Sequence, residues 1–193
     1  MSEEEETTMV RTERQLLRDK RIILLTDEIN DEMAAIFMQD IYLLLQVSLE
    51  PIIIVLASNG SNVEAGLACI RAIHNAQKEG VKIIGEVHGH AMSTAFLILQ
   101  VCDERIMGTP CIQMAHGITS FTYGDIRNID AERKLLTFWQ HYFANLLAKR
   151  STAPEGSKYK SPDFWLPILA DQTPQFYESE ECLLMGLVDR VEF

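Results

Sequence analysis

The chain has 193 residues, 47% of them hydrophobic, which suits one domain, or one domain with an appendage, around a sizeable core. Its formal net charge of -11 argues against a general nucleic-acid binder, whose affinity rests on basic surface. No apolar run reaches membrane-spanning length, and the start is acidic (Glu3 to Glu6) rather than basic and then apolar, so neither a membrane partner nor a signal peptide is expected.

The acidic run reads as a solvated, disordered tail over residues 1–13, ahead of one domain over 14–193. Four cysteines (Cys69, Cys102, Cys111, Cys182) lack metal-binding spacing and fit buried or free thiols of a reducing cytoplasm, the expected location.

Arg11 to Lys20 is charged and reads as a short helix or an arm, and Arg21 to Thr26 as a buried strand. Asn30 is placed to cap a helix whose apolar positions run from Met33 to Leu45, with Pro51 as its breaker. Ile52 to Leu56 is a β-branched strand, Ala57 to Asn62 a small-residue turn, and Val63 to Lys78 a helix stopped by Gly80. Val81 to Val87 is a third strand. Short strands are expected at Arg105–Met107 and Cys111–Ala115, the latter ending at His116. Asp125 to Arg150 is the longest helical stretch. Helices follow over Ser161–Ala170 and Glu178–Met185, then a strand over Leu187–Val191. Strands alternating with helices predict parallel βα units, with the loops after strands gathered on one edge.

Three of those loops carry chemistry-bearing residues. After the third strand comes Gly85-Glu86-Val87-His88-Gly89-His90-Ala91-Met92-Ser93-Thr94-Ala95-Phe96. A strand, a glycine turn and a serine at a helix start can lift a hydroxyl clear of the sheet, beside backbone N–H groups able to hold an oxyanion. The pattern is not Gly-x-Ser-x-Gly, and a plain helix cap is the alternative for Ser93. His88 and His90 bracket Gly89; without a companion Cys or carboxylate they read as turn residues rather than metal ligands, and no metal or other cofactor is expected.

In this order the pieces resemble the proteolytic subunit of the ATP-dependent Clp protease, within the crotonase-like superfamily. The similarity runs from about Arg14 to the C-terminus. Leu16 to Leu25 is similar to the family's first strand; Ser58-Asn59-Gly60-Ser61…Ala65-Gly66 resembles its Ser-Pro-Gly-Gly…Ala-Gly turn. Ala91-Met92-Ser93-Thr94-Ala95 resembles Ala-Ser-Met-Gly-Ala, Met114-Ala115-His116 resembles Met-Ile-His, and Gly186-Leu187-Val188-Asp189 repeats the terminal Gly-Leu-Val-Asp. The resemblance implies an α/β, ClpP-like ββα superhelix with a single head domain and a protruding helical handle, here about residues 117–150. It implies a serine endopeptidase with Ser93 as nucleophile and His116 as general base. Oxyanion donors would be the backbone N–H groups of Ser61 and Thr94, and the substrate a polypeptide inside a homo-oligomeric ring or stacked double ring.

Departures accompany the likeness. The third member of the triad falls, in the family, two residues before the phenylalanine that opens the last helix; Pro174 stands there before Phe176. Asp171, three residues earlier, and Asp163 are the nearby carboxylates. Asp171 is the one expected to orient His116. Ser61 replaces a glycine, so strain is expected if that turn needs positive φ. The resemblance implies an AAA+ unfoldase partner, yet docking-strand tyrosines are replaced by Ile53 and Val55. The alternatives to an active peptidase are an impaired scaffold subunit, a viral capsid-maturation protease of the same fold, and a crotonase-type enzyme acting on acyl-CoA thioesters.

Overall fold

The computed structural model describes residues 13–120 and 123–193; all but the last residue of the expected acidic tail lies outside them. A helix over residues 13–19 (α1) leads into β1 (Ile22–Leu25), α2 (Asp31–Val47), β2 (Ile52–Ser58) and α3 (Val63–Lys78). Then come β3 (Ile83–Met92), α4 (Thr94–Gln100), β4 (Glu104–Gly108), β5 (Ile112–Ala115) and α5 (Ile126–Arg150). A 3-10 turn (Lys158–Lys160), α6 (Pro162–Ala170), β6 (Gln175–Glu178), α7 (Ser179–Met185) and β7 (Arg190–Glu192) complete the chain.

The helix ends follow from side-chain chemistry. Asn30 and Asn62 accept from Met33 and Ala65 N–H at the starts of α2 and α3, and Asp125 accepts from Arg127 and Asn128 N–H at the start of α5. Gly186, in the left-handed region, closes α7. α2 ends at Val47, four residues ahead of the proline expected to stop it.

The sheet runs β1-β2-β3-β4-β7, all parallel. β2 alternates strictly, with Ile52, Ile54, Leu56 and Ser58 buried on one face. Across α3, small residues (Ala65, Gly66, Ala72, Ala76) let the helix lie close to its neighbours. Two polar clusters fasten the far end. Arg105, fully buried, donates to both Asp189 oxygens (2.6 and 3.1 Å) and to Gln100 Oε1 (3.0 Å). Arg150, at the end of α5, donates to the Gln100 carbonyl (2.8 Å) and to the Cys102 carbonyl, satisfying the C-terminus of α4.

The last strand, expected over Leu187–Val191, is β7 at Arg190–Glu192, and two segments differ from the sequence reading in kind. The expected glycine turn at Gly89 is not a turn: β3 continues through it to Met92. Residues 84–87 pair with β4 and residues 90–92 with β5. Gly89, at φ +101°, sits where β3 leaves one neighbour for the other, and the β2–β3 register shifts over the same stretch. The second difference is β6, expected as loop and helix start. It is a strand antiparallel to β5, with Ala115 opposite Gln175 and Met114 opposite Phe176.

α5 divides in two. Its C-terminal part buries Phe143, Ala144, Leu147 and Ala148. Over 126–142 no residue is buried; Leu136 and Trp139 are half-covered, while Ile126, Ile129, Leu135 and Phe138 are exposed.

Candidate active site

Ser93 lies between the end of β3 and the start of α4 at φ +53°, ψ −117°, a conformation uncommon for a residue with a side chain. It makes no side-chain cap bond to α4, which removes the plain helix-cap reading. Its hydroxyl instead meets His116 Nε2 at 2.9 Å. The ladder explains the meeting: β3 pairs with β5 through Met92 and Met114, and the Ser93 N–H donates to the Met114 carbonyl at 2.8 Å. His116 follows β5 directly. Ser93 and His116, 23 residues apart in the chain, are neighbours because two strand ends are neighbours.

The Ser58–Ser61 turn presses on this elbow. A Cβ on Gly60 would lie 2.6 Å from the Met92 carbonyl and 2.7 Å from the Thr94 nitrogen, so only glycine fits; its φ is +82°. The Ser58 hydroxyl shapes the turn, accepting from Gly60 N–H (3.0 Å) and donating to the Asp27 carbonyl (2.5 Å). Ile29 N–H donates to the Gly60 carbonyl (3.0 Å) and Asn62 N–H to the Ile29 carbonyl (3.1 Å). Ser61, bracketed by these bonds, has φ +151°, the positive value that a glycine would take more easily. Among the described residues, the backbone N–H groups of Ser61 and Thr94 meet no acceptor. The sequence places the Ser58–Ser61 turn among the loops that converge on the site but gives Ser58 and Gly60 no role of their own. The Ser58-x-Gly60 spacing of a hydroxyl-to-N–H turn is the signal that marks them.

The structure does not bring the Asp171 carboxylate to His116. Asp171 ends α6, and its Oδ1 accepts from both the N–H and the hydroxyl of Thr173 at 2.9 Å. Those bonds hold this exposed carboxyl below its ordinary value. Only the Asp171 main chain approaches His116: its carbonyl accepts from the N–H of Gly117, the residue after it. The physical reason is local. A carboxylate two residues ahead of a threonine closes its own turn. Asp163 lies in the first turn of α6, whose cap is Ser161.

A narrow cavity of about 50 Å³ opens beside the pair, lined by Ser61, Ser93, Thr94, Leu97, His116 and Leu169. A second groove shares Ser61, Val63, Ile118 and Thr119 with it and runs out along α5 past Glu132, Leu135 and Trp139. His88 lies 3.4 Å from Glu86 on the exposed side of β3. Among the described residues no group of three or more His, Cys, Asp or Glu is placed to hold a metal ion. All four cysteines are buried and unpaired. Among the described residues no helix is long and apolar enough to cross a membrane.

The mixed α/β sheet and its helices are consistent with a ClpP-like α/β fold. The family model of Clp protease matches residues 3–193, and the chain belongs to that family. Members of the family form oligomeric rings and act on polypeptides, so at family level the chain is a ClpP-like peptidase. A search of curated proteins gives no match.

Proposed function

We propose that the protein is an active serine endopeptidase working inside a homo-oligomeric chamber. The observation that carries this reading is the 2.9 Å contact between Ser93 Oγ and His116 Nε2 at a strained elbow. His116 takes the serine proton as Oγ attacks the peptide carbonyl, and returns it to the leaving amine. The Ser61 and Thr94 N–H groups receive the oxyanion; left without acceptors in the free protein, they need break no bond to do so. The acyl-enzyme is released by water. The groove from the cavity along α5 accommodates an extended polypeptide, and the exposed half of α5 is the handle through which subunits or rings meet. Ile53 and Val55, where docking tyrosines stand in the family, argue against dependence on an AAA+ unfoldase. A stand-alone protease of the capsid-maturation kind remains within this reading.

A second reading, a scaffold subunit of low activity, has one observation in its favour: the Asp171 carboxylate bonds Thr173 and leaves His116 without it. A serine-reactive fluorophosphonate separates the two. Stoichiometric labelling that is lost in Ser93→Ala supports the peptidase; an unlabelled native assembly supports the scaffold.

A further inference from the structure

We propose that the Thr94 side chain is a positioning residue that locks the two oxyanion donors to each other. The inference rests on the peptidase reading above and adds a role that the family's motif does not contain, since both positions depart from it.

Thr94 is buried, and its two branches are both engaged. Its methyl fills a notch in α3: a Cβ on Gly66 would lie only 1.9 Å from Thr94 Cγ2. With the methyl seated there, the hydroxyl faces the Ser58–Ser61 turn and donates to the Ser61 carbonyl at 3.3 Å. One side chain therefore ties the residue that supplies one donor N–H to the residue that supplies the other.

Ser61 needs such a tie. At φ +151° it holds a backbone conformation that side-chain-bearing residues rarely adopt. Its preceding peptide is held by Ile29 N–H on the Gly60 carbonyl. Its following peptide is held by Asn62 N–H on the Ile29 carbonyl and by the Thr94 hydroxyl on the Ser61 carbonyl. The hydroxyl is the one side-chain bond among these, and it comes from across the oxyanion site. A glycine at 61 would hold the turn without help. A serine there, with a threonine opposite, makes a matched pair: the strain at one position is restrained by the hydroxyl at the other.

The test compares Thr94→Val, which keeps the methyl and loses the hydroxyl, with Thr94→Ser, which keeps the hydroxyl. Assembly is checked by native mass. Because the donors act on the transition state, Thr94→Val should lower kcat about tenfold with KM changed less than about twofold. Affinity for a peptide boronate, which mimics the tetrahedral intermediate, should fall in parallel. Thr94→Ser should recover most of the loss. Adding Ser61→Gly to Thr94→Val should recover part of it, because glycine needs no restraint at this φ; this double variant also serves should the single one assemble poorly. Wild-type kcat and boronate affinity in Thr94→Val, in an enzyme whose wild type labels with fluorophosphonate, would overturn the assignment and leave the peptidase reading standing. A wild type inert to probe and peptide would overturn both.

Discussion

The Ser93 N–H donates to the Met114 carbonyl at 2.8 Å, two residues ahead of His116. The backbone ladder that joins β3 to β5 thus also fixes the distance between the Ser93 hydroxyl and the His116 ring. A one-residue slip in that register would turn the side chains of β5 to the opposite face, and His116 with them. The Ser93–His116 geometry is a property of sheet register, and the residues that hold the register are as consequential as the pair itself.

Gly60 is the sharpest case. An alanine there would drive its Cβ to within 2.7 Å of the Met92 carbonyl and the Thr94 nitrogen, at a φ of +82°. Gly60→Ala should cost about 1–3 kcal/mol of stability from backbone strain and at least about a hundredfold in turnover from the displaced elbow. Thermal melting and peptide hydrolysis measure the two separately. A variant with wild-type turnover would show that the elbow tolerates a shift.

Asp171→Asn reads the role of the carboxylate. The structure has it closing a turn with Thr173, a task that asparagine also performs. The geometry therefore predicts a loss of less than about tenfold in turnover, against about 10⁴ for the orienting member of a triad. A loss of the larger size with the fold intact would mean that the side chain turns to His116 when substrate binds.

Much of this was legible in the sequence. Asn30, Asn62 and Gly80 announce their helix ends because caps act over three or four residues. The serine and histidine segments were placed at strand ends by short apolar runs. What escaped was non-local. Gly89 reads as a turn because a glycine flanked by polar residues usually is one; that β3 continues depends on β5, more than twenty residues on, supplying a new partner. β6 has four residues and a proline before it, and only pairing with β5 makes it a strand. The orientation of Asp171 is legible locally in Asp171-Gln172-Thr173, a spacing that closes a turn on its own threonine, whereas the family likeness bears only on the position in the chain.

Assembly should depend on the exposed half of α5. Ile126, Ile129, Leu135 and Phe138 lie on a stretch with no buried residue. Leu135→Glu with Phe138→Glu should lower the native mass of the assembly while leaving the thermal melt of the subunit within a few degrees, because neither side chain serves the core. Unchanged sedimentation at micromolar concentration would place the subunit contacts elsewhere.

The Arg105–Asp189 pair should make stability depend on pH. Burial pushes the Asp189 carboxyl up, but hydrogen bonds from Arg105 and its charge outweigh this and hold it below the ordinary value. A depressed carboxyl contributes its full stability above its unfolded pKa, about 3.9, and loses it as pH falls through the lower, folded value. Asp189→Ala, which strands a buried guanidinium, should cost roughly 3 kcal/mol at pH 7 and progressively less as pH falls below about 4. Urea denaturation at pH 7 and pH 3 checks this; an equal loss at both would contradict the charge argument.

The pairing of Ser93 with His116 as a working nucleophile and base is what the peptidase reading stands on. Its most direct measurement is mass-resolved fluorophosphonate labelling of the native assembly, run beside Ser93→Ala and His116→Ala, with hydrolysis of a short peptide followed in the same samples. Such a pair should give one adduct per subunit on Ser93, none in Ser93→Ala, much slower labelling in His116→Ala, and a loss of hydrolysis of about a thousandfold or more in either variant. An assembled native protein that takes no label, or a Ser93→Ala variant that hydrolyses peptide at the native rate, would contradict it.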